Sequence, residues 1–242
     1  MVKRFLDIMI SLFGLIVFSP ILLVVMLLIW LQDRHSPFYI APRVGKDEKL
    51  FNMVKLRSMV INADKSGVDS TSANDTRITP VGHFIRLYKL DEVMQLWNVL
   101  IGDMSLVGPR PNVKSETDMY TKEELKLLSV KPGITDFASI VFSDEGEILK
   151  DKSDPDLAYN QLIRPWKSRL GLVYINHRSL FLDIATIFYT LVSIVSKTTA
   201  LQWVVKQLSS INSDEALIRV ASRTEELYPN PPPGSSSIVG GG

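Results

Sequence analysis

Residues 89–100 read KLDEVMQLWNVL, with two carboxylates, Asp91 and Glu92, side by side. Adjacent acids repel unless positive charge meets them. Cations are at hand. Lys55, Arg57, Arg77 and Arg86 lie upstream; Arg110 and Lys131 lie downstream, in the proline- and glycine-bearing stretches GPRP and KPG. Such loops expose backbone N–H groups and hold arginine forks fixed, which suits phosphate oxygens. The combination points to chemistry on a phosphorylated substrate. Taken singly, each arginine reads as a surface or ion-paired residue. The acidic pair alone reads as a helix cap, because free N–H groups and the helix dipole favour acids in a first turn.

Composition narrows the chemistry further. The chain has 242 residues, and 27 Lys and Arg nearly balance 26 Asp and Glu, which gives no case for nucleic acid as a partner. There is no cysteine, so disulfides, thiolate nucleophiles and cysteine-ligated zinc are excluded. His35, His83 and His177 are scattered and form no metal-binding pattern. Any metal is expected to be a hard cation such as Mg2+, held by carboxylates and phosphate oxygens.

Several elements are needed to position these groups. Val93, Leu96, Trp97 and Leu100 recur at helical spacing behind the acids, and the stretch 81–102 is expected to be mostly helical. PFYIAPRVG, a polar KDEK turn and LFNMVKLRSM predict a β-hairpin that carries Lys55 and Arg57. Residues 62–77 are polar without period and read as a loop. GDMSLVGPRPN and KPGITD read as turn-rich loops, with a charged helix around 114–129 between them. A polar helix is expected near 155–178. A short apolar one at 179–197 is expected to lie at a membrane surface or in the core. An amphipathic helix near 214–228 and a disordered proline-, glycine- and serine-rich end complete the chain.

The N-terminal run FLDIMISLFGLIVFSPILLVVMLLIWL, residues 5–31, is apolar apart from Asp7. As one helix it is about 40 Å long, enough to cross a bilayer core. It is too long for a cleaved signal peptide, and no small-residue cleavage site follows. Ser19-Pro20 interrupts it near the middle, and proline predicts a kink. Lys3 and Arg4 precede it; Arg34, Arg43, Lys46 and Lys49 follow, so both flanks carry the cytoplasmic signature. A helix that enters, bends at Ser19-Pro20 and returns satisfies both flanks. A kinked span satisfies the length.

RVGK, KLRSM, DTRITPVGHFIR, LDEVMQLWNVLIGDMSLVGPRP and KPGIT occur in this order behind that broken helix. Together they resemble the bacterial sugar transferases, the monotopic polyprenyl-phosphate phosphoglycosyl transferases, over roughly residues 3–197. The resemblance implies transfer of a sugar-1-phosphate from a nucleotide sugar, usually a UDP-sugar, to undecaprenyl phosphate. UMP leaves, and a surface polysaccharide or glycoconjugate is begun. It implies that Asp91 is the nucleophile in a covalent phosphosugar intermediate, and that Glu92 is associated with Mg2+. Lys55, Arg86 and Arg110 are implied near the phosphates or nucleotide. The helix start and the cations are expected to keep Asp91 ionised. It also implies the re-entrant form of the N-terminal helix, residues 1–36, at the bacterial inner membrane, among its lipids. A catalytic domain, 37–197, then stands on the cytoplasmic face, and residues 198–242 form an extension outside the resemblance.

The expected fold class is mainly α with a small β-hairpin (α+β): the membrane helix plus interfacial amphipathic helices around a small catalytic domain. A homodimer through the soluble face is compatible with this. Departures from the family pattern, Asp136-Phe137-Ala138-Ser139 after KPGIT, Leu56, and Ala41-Pro42, bear on which sugar is chosen. Two rivals stand beside this reading. One is direct attack by the lipid phosphate, with the acids only holding Mg2+. The other is an inactive membrane-docked scaffold that recruits later glycosyltransferases.

Overall fold

A computed structural model describes residues 2–63, 71 and 75–240. Of the loop expected at 62–77, residues 64–70 and 72–74 lie outside the described residues. The apolar run folds as one helix, α1 (Val2–Asp33), with Pro20 inside it. Proline has no N–H to give the carbonyl four residues back, that of Ile16. The Ser19 hydroxyl donates to that oxygen instead, at 2.7 Å.

One face of α1 packs against the rest of the chain, burying Asp7, Ser11, Leu22, Val25 and Ile29. The other face, including Phe13, Ile16, Leu23 and Val24, is exposed. Both ends are tied to the same body. Lys3 Nζ stands 2.7 Å from Asp183 Oδ2. Asp7 accepts from Ser105 Oγ at 2.9 Å and from the Leu106 N–H at 3.1 Å. At the far end Arg57 donates to Asp33 at 2.7 Å.

The hairpin forms as expected. β1 (Phe38–Val44) and β2 (Leu50–Leu56) pair antiparallel, with Tyr39 opposite Lys55. The stretch 81–102 is helical but divided into α2 (Pro80–Leu87), α3 (Leu90–Val93) and α4 (Gln95–Ile101). Thr79 caps α2 through Gly82 N. Lys89, at φ 52°, makes the bend before α3. That bend lets Leu90 pack with Leu22, Val25 and Ile29 of α1, while Phe84 and Leu87 of α2 stay exposed.

A second sheet was not expected. β3 (Ser105–Val107) and β4 (Gly133–Thr135) lie inside the two stretches read as loops and pair in parallel. Three-residue strands are too short to show a period, and their flanking prolines and glycines read as turns. The glycines serve close approach: a Cβ on Gly133 would stand 2.1 Å from Gly108 N.

The charged helix at 114–129 is also corrected. It is one turn, Lys114–Thr117, and a 3-10 segment, Glu124–Ser129. Between them Thr121 N donates back to Glu124, whose buried carboxylate also takes Arg164 at 2.8 Å and Ser168 at 2.8 Å. The next polar helix is built as Pro155–Ala158, a π segment Tyr159–Ile163, and Arg164–His177. Helix Leu180–Val195 follows.

Helices Lys197–Ser210 and Glu215–Ser222 send Leu201, Val204, Leu208 and Leu217 into the core formed by Phe137, Val141, Trp166 and Leu170. The end is not a loose tail. Asn230 N donates to the Gln161 carbonyl at 3.1 Å, Gln161 Nε2 to the Val239 carbonyl at 2.7 Å, and Thr121 Oγ1 to the Pro233 carbonyl. The fold is thus mostly helical, with two small sheets among the described residues.

Candidate active site

Four elements bring the site together. β2 supplies Lys55, α2 supplies Arg86, α3 supplies Asp91 and Glu92, and the turn leaving β3 supplies Arg110. Arg110 Nη2 donates to Glu92 Oε1 at 2.7 Å. Lys55 Nζ stands 3.9 Å from Asp91 Oδ2, with only 18% and 15% of the two side chains exposed. Arg86 Nε donates to Ser58 Oγ at 2.9 Å, and its charge acts on Asp91.

Electrostatics separates the two acids. Burial raises Asp91 above the usual carboxylate range. Lys55 lowers it in part, Glu92 raises it again, and Arg86 and Arg110 pull it down. The cations expected to keep Asp91 ionised do act in that direction, Lys55 first, but against a larger opposing effect of desolvation. Burial would raise Glu92 too, but Arg110, Lys55 and Lys89 overcome it and hold that carboxyl at about 2. Burial, together with Arg110, lowers Lys55 from its ordinary value. The pair thus consists of one carboxylate locked in an ion pair and one kept basic. Neighbouring acids with opposed shifts are a signature of divided roles.

The other expected cations are engaged by groups outside the acidic pair. Arg57 joins the end of β2 to α1, donating to Asp33 and to the Ser36 carbonyl at 2.8 Å. Arg77 is bound to Asp75 at 2.7 Å and to the Ala63 carbonyl at 3.0 Å, and its charge reaches Arg86. Lys131 stands with Arg4 at the far end of α4. A Cβ on Gly102 would lie 3.3 Å from Arg4 Nη2 and 3.4 Å from Lys131 Nζ. Ten helical residues put that end about 15 Å from the acids. Ser19 and Pro20 sit at mid-α1.

Residues not singled out from sequence also shape the site. Asn98 joins α4 to β2, accepting from Val54 N at 2.9 Å and donating to the Asn52 carbonyl at 2.8 Å. Gln95 lies buried between Asp91 and Asn98 along the helix. The available signal was their spacing from Asp91 on one helical face. Asp136 caps the helix Phe137–Val141 through Ser139 N at 2.7 Å, and burial raises its carboxyl. No group of three or more His, Cys, Asp and Glu gathers among the described residues. Two adjacent carboxylates nevertheless suit Mg2+, which is often held by one or two carboxylates plus substrate phosphates.

Residues 1–197 match the family model described as bacterial sugar transferase. The chain is 32% identical over 200 residues to the UDP-N-acetylgalactosamine-undecaprenyl-phosphate N-acetylgalactosaminephosphotransferase of Aeromonas hydrophila, a match covering 81% of this chain and 44% of that protein. It is 35% identical over 192 residues to the UDP-glucose:undecaprenyl-phosphate glucose-1-phosphate transferase of Klebsiella pneumoniae, covering 78% and 39%. It is 35% identical over 206 residues to the undecaprenyl-phosphate galactose phosphotransferase of Salmonella typhimurium, again covering 78% and 39%. The matches thus take in less than half the length of each of these relatives. With the acidic pair, its cations and the glycine-crossed sheet all inside the matched region, the chain belongs to the bacterial sugar transferase family.

Proposed function

We propose that this chain transfers a sugar-1-phosphate from a UDP-sugar to undecaprenyl phosphate, releasing UMP and beginning a surface polysaccharide or glycoconjugate. The observation that carries the reading is Asp91. It is a largely buried carboxylate, made more basic by burial, with no hydrogen-bond donor among the described residues and with Lys55, Arg86 and Arg110 around it.

An Asp91 oxygen attacks the sugar-linked phosphorus, forming an O–P bond while the bond from that phosphorus to the oxygen bridging it to UMP breaks. The electron pair leaves on UMP. An oxygen of undecaprenyl phosphate then attacks the same phosphorus, and the Asp91 carboxylate departs. Splitting the transfer this way lets one site serve a soluble donor and a lipid acceptor in turn. Arg110 holds Glu92 through one nitrogen, so further N–H groups of its fork can meet phosphate oxygens. Lys55 and Arg86 offset charge on the transferring group. Mg2+, held through Glu92 with Asp91 beside it, would supply further neutralisation of the diphosphate.

Membrane seating fits the same reading. α1 is long and apolar enough to enter a bilayer. A spanning helix would hold its ends on opposite faces, whereas Lys3 and Asp33 both form ion pairs with one body. A re-entrant α1 at the cytoplasmic face accounts for that. Helix Leu180–Val195 adds an exposed stripe of Phe181, Ile184, Phe188, Leu191 and Val195, of which Phe181 is 77% and Val195 90% exposed. Such a stripe suits the acyl boundary.

The test uses the purified protein in lipid discs with Mg2+ and a panel of UDP-sugars, with and without undecaprenyl phosphate. A covalent intermediate gives a burst of UMP without acceptor and a phosphosugar-sized mass increase on the protein, both lost in Asp91→Asn. UMP only when acceptor is present would favour direct attack. Silence across the panel would favour the scaffold.

A further inference from the structure

Gln95 is the first residue of α4, four after Asp91 and three before Asn98. Residues at these separations share a helical face. Both neighbours on that face meet β2: Asp91 stands 3.9 Å from Lys55, and Asn98 bonds the backbone of Asn52 and Val54. That register puts Gln95 on the face turned toward the strand, about one helical turn from Asp91. It is 0% exposed, and neither its Oε1 nor its Nε2 has a hydrogen-bond partner.

Leaving both ends of a buried amide unpaired is costly, and buried polar groups are rarely left so. A residue kept there only for packing would be apolar; Met or Leu fills similar space without that cost. Two groups on the same side also lack a hydrogen bond, with 18% and 15% of their side chains exposed. Lys55 and Asp91 are too far apart for a direct hydrogen bond, and neither has another hydrogen-bond partner among the described residues. Three groups on this side are thus left open, while Asn98, one turn along, is bonded on both sides of its amide. α1 meets α3 with Leu22, Val25 and Ile29 and meets α4 where Gly14 adjoins Leu96; Ser11 of α1 is also buried with its hydroxyl unpaired.

We infer that Gln95 is a positioning residue for Asp91: with phosphorylated substrate bound, its Nε2 donates to the carboxylate oxygen that does not attack, and its Oε1 accepts from Lys55 Nζ. This rests on the function proposed above. The amide fixes which Asp91 oxygen faces phosphorus and keeps Lys55 directed at the phosphoryl group. Small losses of such alignment are expensive in rate.

The experiment measures UMP release and thermal midpoint for wild type, Gln95→Met and Gln95→Glu in lipid discs. For a positioning residue, Gln95→Met unfolds at or above the wild-type temperature while kcat falls about 10- to 100-fold and KM for the UDP-sugar stays within about twofold. Gln95→Glu, equal in shape but without the donor, loses kcat in the same way and serves if Gln95→Met does not fold. A folded variant retaining kcat within about twofold of wild type overturns the inference, as does a fall in midpoint that accounts for the whole loss. Silence of the wild type itself sinks the proposed function and this inference with it; an active wild type beside an active Gln95→Met sinks the inference alone.

Discussion

Asp7 offers the sharpest test of how α1 is held to the rest of the chain. Its carboxylate, 5% exposed, takes the Ser105 hydroxyl at 2.9 Å and the Leu106 N–H at 3.1 Å. Asp7→Ala leaves both donors buried and unpaired. A hydrogen bond to a charged group contributes about 1.5–3 kcal/mol, so the pair amounts to about 3–6 kcal/mol. Against a typical total of about 5–15 kcal/mol this is a large share. At about 2–4 °C per kcal/mol for a chain of this size, the midpoint should fall by on the order of 10 °C. Asp7→Asn keeps one acceptor oxygen for the Leu106 N–H, and its amide nitrogen can donate to Ser105 Oγ, so it should lose less than half as much. The assay is thermal unfolding in lipid discs, with UMP release measured below the transition. Because β3 runs directly into Gly108-Pro109-Arg110, residual Asp7→Ala protein should also turn over more slowly than Asp7→Asn. An Asp7→Ala midpoint within about 2 °C of wild type, or an Asp7→Asn as damaged as Asp7→Ala, would refute the argument.

Other outcomes follow from the same geometry. Asp91→Asn should abolish phosphosugar capture yet leave the protein at least as stable, because it removes a charge that burial disfavours; capture retained in Asp91→Asn would exclude Asp91 as nucleophile. Asp136 has its folded-state carboxyl raised by burial, so the native state binds that proton more tightly than the unfolded chain. Its contribution to stability is present at low pH and is lost as pH rises through the raised value. Asp136→Asn, which keeps an oxygen for Ser139 N, should therefore be the more stable form above that window and match wild type below it; parallel stability curves against pH would reject this. Gly133→Ala drives a Cβ into the Gly108 backbone and should cost several kcal/mol, with UMP release lost as the Arg110 turn shifts; chemical denaturation would measure it. Phe181→Asp with Phe188→Asp should weaken vesicle binding and slow lipid-dependent turnover while leaving capture from the UDP-sugar within about twofold; equal vesicle binding would count against the helix as a membrane contact.

The acids, the hairpin and the apolar helices were legible because each carries a local signal: adjacent charges, two β runs around a turn, a long apolar run. β3 and β4 carry none, since their three residues are framed by glycine and proline and their pairing joins positions far apart in sequence. Arg57 and Lys131 belong to telling motifs, yet Arg57 is tied to Asp33 and Lys131 sits at the far end of α4. Nearness to a motif in sequence is not nearness in space. Gln95 and Asn98 look like the polar side of an amphipathic helix. Only the hairpin lying across that side shows it to be interior. The shift of Asp91 is not legible from its neighbouring charges, because counting them leaves out desolvation.

The ties at the start of α1 also set an order of events during synthesis. Lys3 waits for Asp183, 180 positions later, and Asp7 waits for Ser105, 98 positions later. Until those partners emerge, the first turns of the helix carry an acid and two bases with nothing in the protein to meet them. Contacts so distant form slowly, and unsatisfied intermediates are prone to association. The water–lipid boundary is where such a segment can wait, its charges hydrated and its apolar length covered. On the proposed membrane seating, a bilayer would serve as a temporary partner for α1: Asp7 can brace the Arg110 turn once β3 is made, while Lys3 waits for the later helix that carries Asp183.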